Sequence, residues 1–187
     1  DLLIEQGHEV HVIDNLSGGI KENVNPKVIL HVADIRHLEQ IQHLFTDATF
    51  VFHLAALPRV QYSIEHPVET TNENITGTVS VLTAAARAKV RRVVYSASGS
   101  AYGEQQTLPL AETLSANPVN PYGLQKYVGE LFAKLWPSIY GVENPAGFHA
   151  TNLLVHIADG VLLFMLLTRA TGACWRSALV LDVSACT

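Results

Sequence analysis

The stretch from Thr49 to Ala56 is an almost unbroken apolar run, and it restricts the fold more than any other feature of the chain. A strand with one face in water alternates apolar and polar residues, whereas a strand covered on both faces need not alternate. A second run, Arg92 to Ser96, has the same β-rich character. Strands of this kind are typical of parallel sheets that have helices packed on both faces.

Strand and helix patterns alternate along most of the chain. Gly7 ends a first helical turn, and Pro67 and Pro121 each fit the first turn of a helix. Strands are predicted at residues 9–14, 28–34, 49–56 and 92–96, and helices at residues 1–6, 38–45, 67–89 and 121–140. Strands that alternate with helices form right-handed βαβ units. The predicted fold is therefore α/β, with a doubly wound, Rossmann-type parallel sheet.

Tyr122 and Lys126 lie four residues apart in the helix predicted at residues 121–140. This spacing puts both side chains on one helix face, one turn apart. An ammonium beside a phenol favours the phenolate, which can take a proton from a hydroxyl while a hydride leaves the same carbon. Ser98, near the end of a predicted strand, is placed to hold that hydroxyl. The same Tyr–Lys spacing also occurs by chance in helices, so the surrounding sequence has to show whether this pair is catalytic.

The sequence around this pair is similar to that of a known family. The block from Val94 to Glu130 has a serine-rich strand end, a loop containing Pro109 and the helix start Asn120-Pro121-Tyr122. Together these features resemble the extended short-chain dehydrogenase/reductase family, in its nucleotide-sugar epimerase/dehydratase branch. The resemblance extends over residues 1–143. It implies NAD as the cofactor, a UDP-sugar as the substrate, and a homodimer formed through the helices at 67–89 and 121–140.

The resemblance assigns catalytic roles to Ser98, Tyr122 and Lys126. Ser98 is preferred to the neighbouring serines because it lies four residues before Tyr102, in the family's Ser-x-x-x-Tyr-Gly register. Ser98 and Ser100 are expected to contact the substrate, and Tyr122 and Lys126 to contact the cofactor as well, with Lys126 on the nicotinamide ribose.

Arg59 is a further candidate for substrate binding, since its guanidinium could meet a phosphate or a sugar acid. An exposed structural arginine fits the same position equally well.

The cofactor contacts are expected at strand ends. A carboxylate at the end of the second strand of such a fold accepts hydrogen bonds from the adenosine ribose, which favours NAD over NADP; Asp14 has this position, which also suits a strand-end cap. The resemblance places Asp34 and Ile35 beside the adenine, and small residues after the next strand let the backbone approach the cofactor. The complete expected set is Asp14, Asn15, Asp34, Ile35, Leu54, Ala55, Ala56, Asn74, Tyr122 and Lys126.

The residues after Ser98 indicate the reaction. Sugar 4,6-dehydratases of this branch carry an Asp-Glu pair directly after the catalytic Ser or Thr, whereas this chain has Gly99 and Ser100. The resemblance therefore favours NAD-dependent epimerisation at carbon 4 through a 4-keto intermediate, with a dehydratase or a related sugar oxidoreductase as the alternative. A metal site is not expected, because the side chains of His8 and His11 diverge at a strand start.

The glycine-rich turn of a dinucleotide fold is not found in the sequence. That turn follows the first strand, whereas Gly18-Gly19 follows the second and is interpreted as a plain turn. The family would place its first strand and glycine loop just before residue 1. We therefore expect residues 1–143 to form a truncated NAD-binding domain without its first strand, with weak cofactor binding.

Residues 144–187 depart from the family pattern and are expected to form an unrelated apolar helical tail. The run 153–167 is shorter than the ~20 apolar residues of a membrane span, so a buried helix, an interfacial helix and a piece of a membrane helix all remain open. A competing hypothesis is thus a non-catalytic fragment or fusion product that contacts membranes through this run.

The net charge of −5 argues against a nucleic-acid partner, and the low cysteine content suits the cytoplasm.

Overall fold

The computed structural model describes residues 1–106 and 109–140 of the 187-residue chain. Its strands are β1 (His11–Asp14), β2 (Ile29–Val32), β3 (Phe50–His53) and β4 (Arg92–Tyr95). Its α-helices are α1 (Leu2–Glu5), α2 (Leu38–Ile41), α3 (Val60–Glu65), α4 (Pro67–Thr71), α5 (Gly77–Arg87) and α6 (Pro121–Tyr140). Shorter 3₁₀ turns occur at Lys21–Asn23, Gln42–Phe45 and Gly99–Ala101. The predicted tail at 144–187, with its apolar run 153–167, lies outside the described residues.

The strands form two parallel pairs, β1 with β2 and β3 with β4. Each pair is a separate two-stranded sheet among the described residues. The predicted parallel α/β architecture is confirmed. No helix within the two described ranges is long and apolar enough to cross a membrane.

One hydrophobic core joins the two strand pairs. Its buried members include Ile41, Phe45, Val81 and Ala84, which come from α2, the turn that follows it, and α5. Partly buried side chains from three strands pack on the same cluster, namely Ile13, Val51 and Val93. The helical layer therefore packs against both strand pairs and joins them in one core.

The helix predicted at residues 67–89 is interrupted. Helices α4 and α5 are joined by a π-helical turn, Asn72–Thr76, in which Asn74 is buried. Such turns are rare and occur frequently at functional sites. The short helix α3 was not predicted; it ends at His66, just before Pro67, a residue that disfavours helical geometry in its predecessor.

Candidate active site

The first two turns of α6 hold the predicted Tyr–Lys pair. Asn120 caps the helix by accepting a hydrogen bond from the Gly123 amide at 2.8 Å. The Tyr122 amide donates to the Ser63 hydroxyl at 3.0 Å, which satisfies another of the free N–H groups at the helix start. Tyr122 is 9% exposed and Lys126 is 3% exposed. The pair therefore lies inside the protein, at the end of a well-anchored helix.

The Lys126 ammonium lies over an aromatic ring. Its Nζ atom is 4.6 Å from the centroid of the Tyr95 ring on β4, within the range of a cation–π contact. Burial lowers the pKa of Lys126 to about 8, so at neutral pH most molecules hold a positive charge in a dry site. Burial, together with the Lys126 charge, lowers the pKa of His53 to about 4.

Ser98 begins the 3₁₀ turn Gly99–Ala101, and its hydroxyl accepts a hydrogen bond from the Ser100 amide at 3.2 Å. The first turn of α6 packs directly on this turn. A Cβ atom added to Gly123 would lie only 2.4 Å from the Ser100 carbonyl oxygen. The structure thus brings the turn that carries Ser98 and Ser100 against the helix turn that carries Tyr122.

The Gly123→Ala variant tests this contact. We expect the extra methyl group to cost about 1–3 kcal/mol through overpacking, which exceeds the gain of roughly 1 kcal/mol from the better helix propensity of alanine. Urea unfolding measures the difference. Gly18→Ala is the control, because a Cβ atom there meets nothing within 4 Å. A Gly123→Ala protein as stable as the parent would contradict the close packing.

Asn74 connects the π-turn to the loop after β3. Its Oδ1 atom accepts from the Leu57 amide at 2.7 Å, and its Nδ2 group donates to the Leu57 carbonyl at 3.2 Å and to Gln125 Oε1 at 2.7 Å. The side chain is 1% exposed and its hydrogen bonds lie within the protein. Its contribution to a cofactor site is therefore to shape the loop, and direct contact with a cofactor stays a prediction.

The predicted adenosine end lies at the carboxyl ends of β1 and β2. Asp14 accepts a hydrogen bond from the Leu16 amide at 2.7 Å, and Gly19 folds back so closely that a Cβ atom there would lie 3.0 Å from the Asp14 carboxylate. Asn15 Nδ2 is 3.5 Å from both Asp34 Oδ2 and Glu73 Oε1. Three of the predicted cofactor residues are thus brought together.

Sequence reasoning missed two charged members of this cluster. Hydrogen bonds from the Arg36 side chain hold the pKa of Asp34 well below its usual range. Arg36 Nε also lies 3.1 Å from Glu73 Oε2, and burial raises the pKa of Glu73. The Asp34-x-Arg36 spacing after a strand was an available signal, whereas Glu73 lies too far along the chain for sequence spacing to show the contact.

The structure does not decide whether four other predicted residues contact cofactor or substrate, namely Leu54, Ala55, Arg59 and Ile35. Leu54 and Ala55 follow β3 and are exposed, and Arg59 is exposed at the start of α3, in line with either of its two interpretations. The Ile35 side chain is buried in the core, so contact with an adenine would have to come from its backbone.

In the described part of the chain, no group of three or more His, Cys, Asp or Glu side chains is arranged to hold a metal ion.

Acid titration tests the burial of His53. Its pKa is about 4 in the folded protein and roughly 6.5 in an unfolded chain. Its contribution to stability is therefore complete above pH ~6.5 and is lost as pH falls through ~4. We expect a loss of about 3 kcal/mol over that window, measured by urea unfolding.

The His53→Gln variant isolates this effect, because a glutamine amide can still donate to Thr78, whose hydroxyl lies 2.9 Å from His53 Nε2. It should lose clearly less stability over the same pH range, whereas the exposed control His66→Gln should follow the parent. His31, whose pKa is also lowered by burial, contributes in all three proteins. Parallel curves for the parent and His53→Gln would contradict the expectation.

Comparison with known proteins identifies the family. Residues 1–153 match the NAD dependent epimerase/dehydratase family. A putative UDP-glucose 4-epimerase of Methanocaldococcus jannaschii is 41% identical over 145 residues, which cover 76% of this chain and 48% of that protein.

Two crystal structures of UDP-glucose 4-epimerases have a similar fold. That from Thermotoga maritima, with UDP-glucose, has a TM-score of 0.73 at 34% identity and covers 76% of this chain and 47% of its own. That from Thermus thermophilus, with NAD, has a TM-score of 0.71 at 32% identity and covers 75% and 46%. The chain spans about half the length of these relatives. With the match over residues 1–153, the α/β fold and the Tyr–Lys helix, the chain belongs to the NAD dependent epimerase/dehydratase family.

Proposed function

We propose that this chain carries the catalytic centre of an NAD-dependent epimerase that inverts carbon 4 of a UDP-sugar through a 4-keto intermediate. The observation that carries the proposal is the buried Lys126 ammonium, one helix turn after Tyr122, on the helix whose first turn packs against the turn that begins with Ser98. In this proposal Tyr122 is the base that oxidation of a secondary alcohol needs, and the charge of Lys126, on the same helix face, assists it.

The residues present fit NAD at its two ribose positions. The Asp14 carboxylate at the end of β1 accepts one backbone hydrogen bond and retains further acceptor sites for a ribose diol. By resemblance to the family, Lys126 is proposed to bind the nicotinamide ribose. The sequence contains no Gly-x-x-Gly-x-x-Gly turn for the pyrophosphate, so we expect residues 1–187 to bind NAD weakly. When bound, NAD supplies a reversible hydride acceptor.

The steps assigned to the protein are proton transfer and orientation. Ser98 holds the carbon 4 hydroxyl, and the Tyr122 phenolate removes its proton as the carbon is oxidised. The Lys126 charge stabilises the phenolate throughout. After the keto sugar turns over, Tyr122 returns the proton when the carbon is reduced from the opposite face. Neither step requires further acid–base residues, and the presence of Gly99 and Ser100 where dehydratases carry Asp-Glu favours epimerisation over loss of water.

The proposal is tested in a longer polypeptide, in which a strand and glycine loop taken from a relative precede Asp1 and a relative's carboxyl-terminal half follows Glu143. Interconversion of UDP-glucose and UDP-galactose, measured by coupled assay, is the expected result. Absence of turnover in a folded protein that binds NAD would overturn the proposal.

We also propose that two copies of this chain associate through α6. Its exposed apolar side chains recur on one helix face at helical spacing, namely Leu124, Leu131, Leu135 and Ile139. A dimer by light scattering is expected, and Leu131→Glu with Leu135→Glu should yield monomers. A monomeric parent at micromolar concentration would contradict this arrangement.

A further inference from the structure

Gln125 lies between Tyr122 and Lys126 on α6 and is almost completely buried, at 2% exposure. An uncharged amide in such a place costs free energy unless its polar atoms find partners. Gln125 finds three. Its Oε1 atom accepts from Asn74 Nδ2 at 2.7 Å, and its Nε2 group donates to the Thr70 hydroxyl at 3.0 Å and to the Thr71 hydroxyl at 3.1 Å.

These partners lie on a different structural unit from α6. Thr70 and Thr71 end α4, and Asn74 is in the π-turn. The Asn74 side chain in turn forms two hydrogen bonds with the backbone of Leu57, in the loop after β3. Its oxygen accepts from the Leu57 amide, and its nitrogen donates to the Leu57 carbonyl. The Gln125 amide is therefore the link between the helix that carries the Tyr–Lys pair and the loop that is expected to border the cofactor.

Strand β4 contacts α6 next to Gln125, because Gly129 lies one turn further along the same helix face. Lys126 lies over the Tyr95 ring, and a Cβ atom on Gly129 would lie 2.3 Å from the Tyr95 hydroxyl oxygen. The buried face of α6 thus contacts the α4–π-turn unit and β4 side by side. Gln125 supplies buried hydrogen bonds within this contact, so we expect its loss to loosen the packing next to Lys126 and to admit water there.

We propose that Gln125 is a positioning residue, which holds Lys126 in its dry site against Tyr95 and couples the Tyr–Lys helix to the loop after β3 through Asn74. The significance of this role rests on the proposed function, because it matters for catalysis only if Lys126 assists Tyr122. The coupling itself is a property of the folded chain and requires neither substrate nor cofactor.

The titration of Lys126 in residues 1–187 tests the proposal directly. Lysine labelled with ¹³C at Cε is followed by NMR as a function of pH, with the Lys126 signal assigned through Lys126→Arg. The parent is expected to titrate near 8. In Gln125→Met, which keeps the shape but loses the three hydrogen bonds, water entry should raise the midpoint by at least one pH unit, a tenfold change in proton affinity.

Two further proteins separate positioning from general loss of stability. Gln40→Met makes the same change at an exposed position on α2 and should leave the midpoint unchanged. Thr70→Val combined with Thr71→Val removes the two acceptors of Gln125 Nε2 while leaving its bond to Asn74, and should raise the midpoint by a smaller amount. This variant decides the question if Gln125→Met does not fold.

An unchanged or lower titration midpoint of Lys126 in folded Gln125→Met would overturn the proposal. If Gln125→Met does not fold, the same result in the double threonine variant would overturn it. The outcome is independent of turnover. A raised midpoint with no epimerase activity in the longer polypeptide would reject the proposed function alone, whereas full activity with an unchanged midpoint would reject the role of Gln125 alone.

Discussion

Replacing Tyr122 with Phe is expected to lower turnover of the longer polypeptide by about 10²–10⁴-fold, the usual contribution of a positioned acid–base group. The change removes one hydroxyl and leaves the anchoring of the helix intact, because the hydrogen bond to Ser63 comes from the Tyr122 backbone amide. The free energy of unfolding should therefore change little. NAD affinity should fall only modestly, since Tyr122 is one of the expected cofactor contacts but the ribose contact assigned to Lys126 is still present.

Single-turnover measurement of the keto sugar separates the chemical step from product release. The matched control is Tyr127→Phe, which removes a phenol hydroxyl from the same helix at a position outside the proposed centre. That control should retain the parent rate. A Tyr122→Phe protein that interconverts the two UDP-sugars as fast as the control would show that another group moves the proton, and the assignment of Tyr122 would be wrong.

The sequence was most informative where a prediction depends on a local pattern. The apolar run at 49–56 contains β3, although Phe50 and Phe52 are 49% and 51% exposed and the described residues do not cover both faces of the strand as predicted. The helix predicted at 121–140 begins at the observed residue, because Pro121 fixes its start. The shared face of Tyr122 and Lys126 also follows from helical spacing alone. Each of these features depends on residues that are neighbours along the chain.

The features that sequence reasoning missed depend on distant residues or on subtle geometry. A π-turn adds one residue to a helical turn without any change in composition, so the helix predicted at 67–89 concealed Asn72–Thr76. Gln125 reads as a neutral helix residue until the partners some fifty positions earlier are known. The Tyr95 ring beneath Lys126 is another long-range contact, and it decides the electrostatics of the site.

The Lys126→Met variant is expected to be more stable than the parent at pH 7, by about 1–3 kcal/mol. Burial lowers the pKa of Lys126 to about 8, from roughly 10.4 in an unfolded chain. At pH 7 the folded protein therefore carries a charge that the unfolded chain accommodates more easily. Methionine fills a similar volume without that charge. The cation–π contact with Tyr95 offsets part of the cost, which is why the expected gain is smaller than the full shift in pKa would give.

The pH dependence distinguishes this cause from better packing. As pH rises from 8 to 10.4, the unfolded chain keeps a proton that folded Lys126 has released, so the contribution of this group to parent stability rises and the advantage of Lys126→Met should shrink. Urea unfolding at pH 7 and pH 10 measures it. The control Lys134→Met changes a lysine that is 43% exposed and paired with Glu130, and it should give no gain. A Lys126→Met protein that is less stable than the parent at pH 7 would show that the ammonium is well accommodated. The expected gain, together with loss of turnover in the longer polypeptide, would instead mean that the protein keeps a buried charge at the expense of stability because Tyr122 requires it.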